Sequence, residues 1–238
     1  MCGLIGMVSR ENDVVPLVYI GLGQLQHRGK ESAGIASAHL GRTNKVLKGT
    51  GEVTHVFNKD KNALGRISGT SAIGHVRYGT AGESGVLGAQ PIEGLFRGEH
   101  SFCLAHNGNV VNQKALQREL NCERPFVSDT QLIVDLISCS PWTDFEDALI
   151  GVAKKLQGSF NLLILFNDRV YALTDRFGFH PLALGRRGDD YIIASESCVF
   201  DHLDAKFMCD IKPGILLTVS HNGISEVEWG NARRLCVD

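Results

Sequence analysis

The chain has 238 residues, 43% of them hydrophobic and 21% charged, and 24 basic against 26 acidic side chains leave a formal net charge of −2. That length fits one large domain or two small ones, and a single domain of this size buries about three-quarters of its unfolded surface without a disulfide or metal brace. The near-zero charge gives no electrostatic case for nucleic acid or an anionic membrane, and no apolar run approaches the ~20 residues of a membrane span. In chain order, the start Met1-Cys2-Gly3-Leu4-Ile5-Gly6 lacks the basic and long apolar stretches of a signal peptide. Residues 4–8 form a short apolar run that predicts a buried strand, and Val14, Leu17, Val18, Leu22 and Leu25 then recur at helical spacing. Residues 34–38, 72–76 and 102–105 read as further buried strands, and residues 115–120 as a short helix. Ser128-x-x-Gln131 resembles a capping box that opens a helix through Leu132, Ile133, Leu136 and Ile137. A second clear helix, behind a cap at Asp144, carries Phe145, Ala148, Leu149, Val152, Ala153 and Leu156.

Beyond it the period becomes that of strands. Residues 160–166 and 170–174 flank a hairpin-like Asn167-Asp168, residues 191–194 follow the turn Gly188-Asp189-Asp190, and residues 216–219 and 224–227 flank His221-Asn222-Gly223. Helices mixed with hairpins, without regular β-α-β alternation, predict an α+β layered domain. No repeat, linker or low-complexity stretch divides the sequence, so residues 1–238 are read as one domain. The seven cysteines, at 2, 103, 122, 139, 198, 209 and 236, are odd in number, widely spaced and free of Cys-x-x-Cys pairs. Most of them suit small buried hydrophobes in a reducing compartment, which predicts a cytoplasmic protein without a metal site.

Cys2 stands apart because it directly follows the initiator Met. On one reading, Met1 removal leaves a thiol nucleophile and its own α-amino base on a single residue. A free α-amine has a pKa of ~7.7–8.0 and a free thiol ~8.5, so proton exchange between them near neutrality costs little. On the other reading Cys2 is a small residue placed there by chance, and position alone favours that one.

The remaining motifs shift the balance. Cys2-Gly3-Leu4-Ile5-Gly6 resembles the opening of class II glutamine amidotransferases. Gln26-His27-Arg28-Gly29-Lys30-Glu31-Ser32-Ala33-Gly34-Ile35 resembles the stretch after the first helix in glutamine phosphoribosylpyrophosphate amidotransferases. Gly74-His75-Val76-Arg77-Tyr78-Gly79-Thr80-Ala81-Gly82, Ala89-Gln90-Pro91, Ala105-His106-Asn107-Gly108-Asn109 and Ser128-Asp129-Thr130 are similar to that family in the same order. Asp175-Arg176-Phe177-Gly178-Phe179-His180-Pro181-Leu182, Ala194-Ser195-Glu196-Ser197 and Lys212-Pro213-Gly214 extend the likeness over nearly the whole chain. The resemblance implies a four-layer αββα sandwich of the N-terminal-nucleophile hydrolase type and a glutaminase that passes through a Cys2 thioester.

The resemblance also assigns roles. Arg77 would fork onto the glutamine carboxylate as a lysine could not, with Thr80 adding a hydroxyl. Asp129 would accept the substrate ammonium, although an acid also suits a helix N-terminus by itself. Asn107 and Gly108 would form the oxyanion hole, where one donor is typically worth ~10²–10³ in rate; the same dipeptide is equally a common turn. Arg28 and Gly29 would support the nucleophile. His27, His75 and His106 are read as structural, because the amine already serves as base.

Lys30, Gly79 and His180 depart from the family pattern, which bears on closeness to the purine enzyme and not on glutaminase chemistry. A phosphoribosyltransferase part is expected to be absent. The adjacent acids Asp189-Asp190 follow Arg186-Arg187-Gly188 and read as a turn, and no phosphate loop is present. Cys236 resembles the first iron–sulfur ligand of some members, but one cysteine holds no cluster, so no cofactor is expected here. The expected partners are glutamine and an ammonia-accepting synthase domain or subunit, with assembly into a homo-oligomer left open. Two other readings remain: a different N-terminal-cysteine amidohydrolase, which Arg77 with Asp129 disfavours, and a non-catalytic glutamine-sensing module.

Overall fold

The computed structural model describes residues 1–39, 45–59, 62–79, 88–120 and 128–232. In chain order the strands are β1 Gly3–Val8, β2 Ser32–Ala38, β3 Lys45–Thr50, β4 Ser71–Arg77, β5 Ile92–Phe96 and β6 His100–Val110. They continue with β7 Gly158–Phe166, β8 Arg169–Thr174, β9 Ala183–Arg187, β10 Asp190–Ala194, β11 Lys206–Asp210, β12 Ile215–Ser220 and β13 Gly223–Glu228. The helices are α1 Val15–Gln24, α2 Val53–Phe57, α3 Gln113–Glu119, α4 Asp129–Ser138, α5 Phe145–Lys155 and α6 Cys198–His202.

Two antiparallel sheets result. The first runs β11-β9-β10-β1-β4-β2-β3 and the second β13-β12-β8-β7-β6-β5. Strand alternation explains how they stack, since successive side chains leave a strand on opposite faces. On β1, Leu4 and Val8 enter a core shared with Ala105, Leu163 and Leu165 of the second sheet, and Ile73 joins them from β4. Ile5 and Met7 point the other way, onto Val15, Val18 and Leu22 of α1 and Val199 and Phe200 of α6. The second sheet repeats the logic: Leu104, Leu162 and Ile164 face outward onto Leu132, Ile133 and Leu136 of α4 and Phe145, Leu149 and Val152 of α5. The layers are therefore helix, sheet, sheet, helix. Each large apolar side chain so buried stabilises the fold by about 1.5–3 kcal/mol.

The cap at Asp144 forms, whereas the expected box at Ser128 forms by half: among the described residues the Gln131 side chain donates to Asp135 Oδ1 at 2.9 Å and does not return to Ser128. Ser128 Oγ accepts from the Gln131 amide at 3.2 Å, and Asp144 Oδ1 accepts from Glu146 and Asp147 amides at 2.8 and 3.1 Å. Asn167 and Asp168 take φ of 48° and 59°, the left-handed pair of a tight hairpin between β7 and β8. The Asp189-Asp190 pair lies at the β9–β10 turn, where Asp190 pairs with Arg187. No helix among the described residues is long and apolar enough to cross a membrane.

Candidate active site

The inter-sheet core is dry along most of its length and turns polar at one end. The same alternation that buries Leu4, Gly6 and Val8 between the sheets points Cys2 there as well. On β4 the stripe Ile73, His75, Arg77 becomes polar after its first member, and on β2 the stripe of Ala38 and Ala36 ends in Ser32, which pairs with Arg77. From the second sheet, Cys103 and Ala105 lead to Asn107, and Leu165 and Leu163 lead to Asn161, its direct cross-strand partner. Ser32, His75, Arg77, Asn107 and Asn161 are all buried. Among the described residues, Ser32 Oγ, His75 Nδ1, Asn107 Nδ2 and Asn161 Oδ1 nonetheless lack any hydrogen-bond partner. Leaving such a group unpaired in a dry interior costs about 1–3 kcal/mol, so a cluster of them at one place marks a site built to receive something.

Asn107 and Gly108 do not form the turn that their dipeptide allows. They lie inside β6, opposite Asn161 and Phe160. The hydrogen bonding of this strand decides where Gly108 points. The Phe160 amide donates to Asp175 Oδ2 at 3.1 Å and its carbonyl accepts from the Asp175 amide at 2.9 Å, so both face away from β6. Gly108 and Phe160 are thus a non-hydrogen-bonded pair, and the Gly108 N–H points toward the opposite, open edge. Pairing with β5 on that edge has already ended at Ile92 and Leu104. Side chains satisfy the neighbouring groups there: the His106 amide donates to Gln90 Oε1 at 2.7 Å, and the Val110 amide to Asp129 Oδ2 at 3.2 Å. Among the described residues Gly108 N–H has no such acceptor. It adjoins Asn107, whose side-chain donor is also unpaired.

The start of β1, next to Cys2, is anchored from several directions. Ser195 Oγ accepts from the Leu4 amide at 3.0 Å, and Arg28 Nε donates to the Cys2 carbonyl at 2.9 Å. Glu196 Oε1 in turn holds Arg28 at 2.5 Å and His27 at 3.0 Å. A Cβ on Gly29 would lie 2.3 Å from the Arg77 carbonyl carbon and 2.6 Å from the Tyr78 nitrogen, so only glycine lets these backbones meet.

A profile of the glutamine amidotransferase domain matches residues 81–202. The chain belongs to the glutamine amidotransferase family. Amidophosphoribosyltransferase of Archaeoglobus fulgidus is 39% identical over 245 residues, covering 100% of this chain and 52% of the relative. That of Bacillus subtilis is 36% identical over 228 residues, covering 94% of this chain and 47% of the relative. Glutamine phosphoribosylpyrophosphate amidotransferase of B. subtilis, solved with ADP and GMP, superposes with a TM-score of 0.86 at 33% identity, covering 96% of this chain and 49% of that one. The chain therefore spans about half the length of the relatives it matches, and its two sheets are the sandwich of the N-terminal-nucleophile type.

Electrostatics distinguishes the amidotransferase groups. Burial pushes the Cys2 thiol up, against the Tyr78 backbone N–H and the positive charges of the N-terminus and Arg77, so at neutral pH it is protonated. Burial also pushes the Asp129 carboxyl up, but hydrogen bonding and charge from His106 and the backbone amides of Val110 and Thr130 outweigh it and hold the pKa below the usual range. Arg77 is 8% exposed, not the surface cation its type suggests, and its guanidinium lies 3.4 Å from Glu31 Oε1. Asp129 opens α4 and also closes the β6 edge, so a helix-terminal position and a place in the site coincide.

Cys2, Arg28, Gly29, Arg77, Asn107, Gly108 and Asp129 are thus gathered at one end of the sandwich, whereas Thr80 and Cys236 lie outside the described residues. Sequence reading left out Glu31, Gln90, Thr130, Asn161 and Glu196. For Asn161 a signal existed: a polar residue that continues the alternating stripe of Leu165 and Leu163. Volume does not mark the place. One surface cavity of about 620 Å³ lies elsewhere, beside Arg10, Arg187, Asp189 and Asp204, and mixes both signs of charge.

Proposed function

We propose that this chain is the glutaminase part of an amidotransferase, releasing ammonia from glutamine through a γ-glutamyl thioester on Cys2. The observation that carries the reading is a pair of adjacent donors near the inter-sheet end that Cys2 faces: among the described residues Asn107 Nδ2 has no hydrogen-bond partner, and the Gly108 N–H faces the edge of β6 that β5 has left. After removal of Met1, the Cys2 α-amine takes the thiol proton and Sγ attacks the side-chain carboxamide carbon. The carbonyl oxygen becomes an oxyanion held by the two donors. The ammonium then protonates the amide nitrogen, the C–N bond breaks, ammonia leaves, and the acyl group stays on sulfur. Water, deprotonated by the same amine, attacks the thioester and frees glutamate and the thiol. Arg77, with Thr80, takes the substrate carboxylate and Asp129 its ammonium, while Arg28 and Gly29 position the nucleophile.

In this reading the whole domain, residues 1–238, is the glutamine site, and ammonia is used at a synthase site on another domain or subunit. Likeness to amidophosphoribosyltransferases supports phosphoribosylpyrophosphate as the acceptor. A cytoplasmic location is part of the same proposal and rests on the unpaired cysteines alone. Cys2→Ala should abolish glutamate release with the fold retained; turnover that persists in this variant would refute the thioester. The chain by itself should give glutamate and free ammonia, and phosphoribosylamine formed by it alone would refute the division of labour.

A further inference from the structure

The imidazole of His75 joins the two sheets at the polar end of the core. It lies on the interior face of β4, two residues before Arg77, and is wholly buried. Its Nε2 lies 3.2 Å from the carbonyl oxygen of His106 on β6. A carbonyl only accepts, so Nε2 carries the hydrogen and Nδ1 keeps a lone pair. Burial, above all, lowers the pKa of the ring to about 3, so the imidazole is neutral and the tautomer stays fixed across the working range.

The bonded carbonyl has a particular place. It belongs to the peptide that leads into Asn107, and it lies on the open edge of β6 where Gly108 presents its N–H. Strand β5 no longer covers this edge, and among the described residues Gln90, His75 and Asp129 are the side chains that bond to it. Two of these grip His106 itself, one at each backbone polar group. A shift of β6 against the first sheet would move both unpaired donors relative to Cys2.

We propose that His75 is a positioning residue for the glutaminase reaction, setting the distance between the oxyanion donors of the second sheet and the nucleophile of the first. The proposal rests on Asn107 and Gly108 acting as those donors. A misplacement of about 1 Å in such a site can cost ~10²-fold in rate. Because the bond touches neither the substrate head group nor Arg77, its loss belongs in kcat and not in KM.

Three variants of the full chain test this: His75→Leu, which fills the space without a donor; His75→Gln, which restores an N–H of similar reach; and Asn107→Ala. Each is assayed for glutamate release, with the folded fraction measured by near-ultraviolet circular dichroism. His75→Leu should lower kcat at least ~10-fold with KM within about threefold, and His75→Gln should recover most of the rate. In the Asn107→Ala background the His75→Leu change should cost much less, because the group it positions is gone; a merely structural residue would cost the same in both backgrounds. Folded His75→Leu at the wild-type kcat, or an equal loss in both backgrounds, overturns the proposal. If His75→Leu does not fold, His75→Gln decides: near-wild-type kcat supports the donor role, and a kcat lowered more than about tenfold with a native fold refutes it. Asn107→Ala at full rate would instead remove the oxyanion reading itself.

Discussion

Gly29→Ala tests the packing of the site most directly. Gly29 has φ of −173°, an extended conformation open to any residue, so the substitution adds no backbone strain. What it adds is one methyl group where there is no room. The new carbon would lie 2.3 Å from the Arg77 carbonyl carbon, 2.4 Å from its oxygen and 2.6 Å from the Tyr78 nitrogen, against ordinary contacts of 3.4–4 Å. All three atoms are backbone and cannot rotate away, so the segment carrying Gly29 and the end of β4 must part by about 1 Å. Overpacking of this kind costs about 1–3 kcal/mol. The displaced atoms include the Tyr78 N–H that points at the Cys2 thiol and the backbone that carries Arg77. A shift of about 1 Å there should lower kcat/KM on the order of 10²-fold. Urea denaturation gives the first number and initial rates of glutamate formation the second. Gly23→Ala is the control: Gly23 is exposed in α1, nothing lies within 4 Å of its added carbon, and alanine should stabilise the chain by about 0.5–1 kcal/mol. Gly29→Ala with wild-type stability and rate would show that the Gly29–Arg77 approach is not what holds the site.

Two further predictions concern charge and processing. Asp129→Asn should raise KM for glutamine at least tenfold, since removing one partner of a buried charge pair costs about 2–5 kcal/mol, while leaving amides without an α-amine unaffected. Because the Asp129 pKa is held below the usual carboxylate range, its contribution is complete above the unfolded value of about 3.9 and fades only as pH falls through the lower folded value. A glutamine KM that rises near neutral pH would assign that titration to another group. An uncleaved N-terminal tag should eliminate activity, because an amide nitrogen cannot accept the thiol proton, whereas a C-terminal tag should not. Intact mass of active material should show Cys2 as the first residue, and full turnover with Met1 retained would require a different base.

Much of the architecture is legible where elements are long and periodic. The stripes of α1, α4 and α5 and the apolar runs of β1, β7 and β8 each stand out, because each helix buries one face and each of these strands both. The misses each have a physical cause. Strand β11 is exposed on every residue, so it has no alternation to read. Helices α2 and α6 have five residues each, too short for a helical period to show. Strand β5 contains Gly94, which weakens a strand pattern, because Phe102 and Val134 occupy the space of its side chain. Strand β6 was read as residues 102–105 but runs to Val110, since Asn107, Gly108 and Asn109 look like a turn until β7 pairs with them.

The identities of the site residues came from local motifs, but their readiness to act is non-local. Cys2 and Arg77 could be picked out as residue types in context. Nothing within the segment Ala105-His106-Asn107-Gly108 shows that the Gly108 N–H is unpaired. That follows from three distant facts: β5 stops at Ile92, Asp175 takes both backbone groups of Phe160, and Gln90 and Asp129 satisfy the groups on either side. The same burial that makes the unpaired donors costly also gives them their use. A donor exposed to water would be solvated and would have to shed that water as charge develops, whereas one held dry and aimed in advance meets the oxyanion without reorganising. The fold tolerates unpaired polar atoms at this end because the dry core around Leu4, Ala105 and Leu163 fixes both sheets rigidly enough to hold them there.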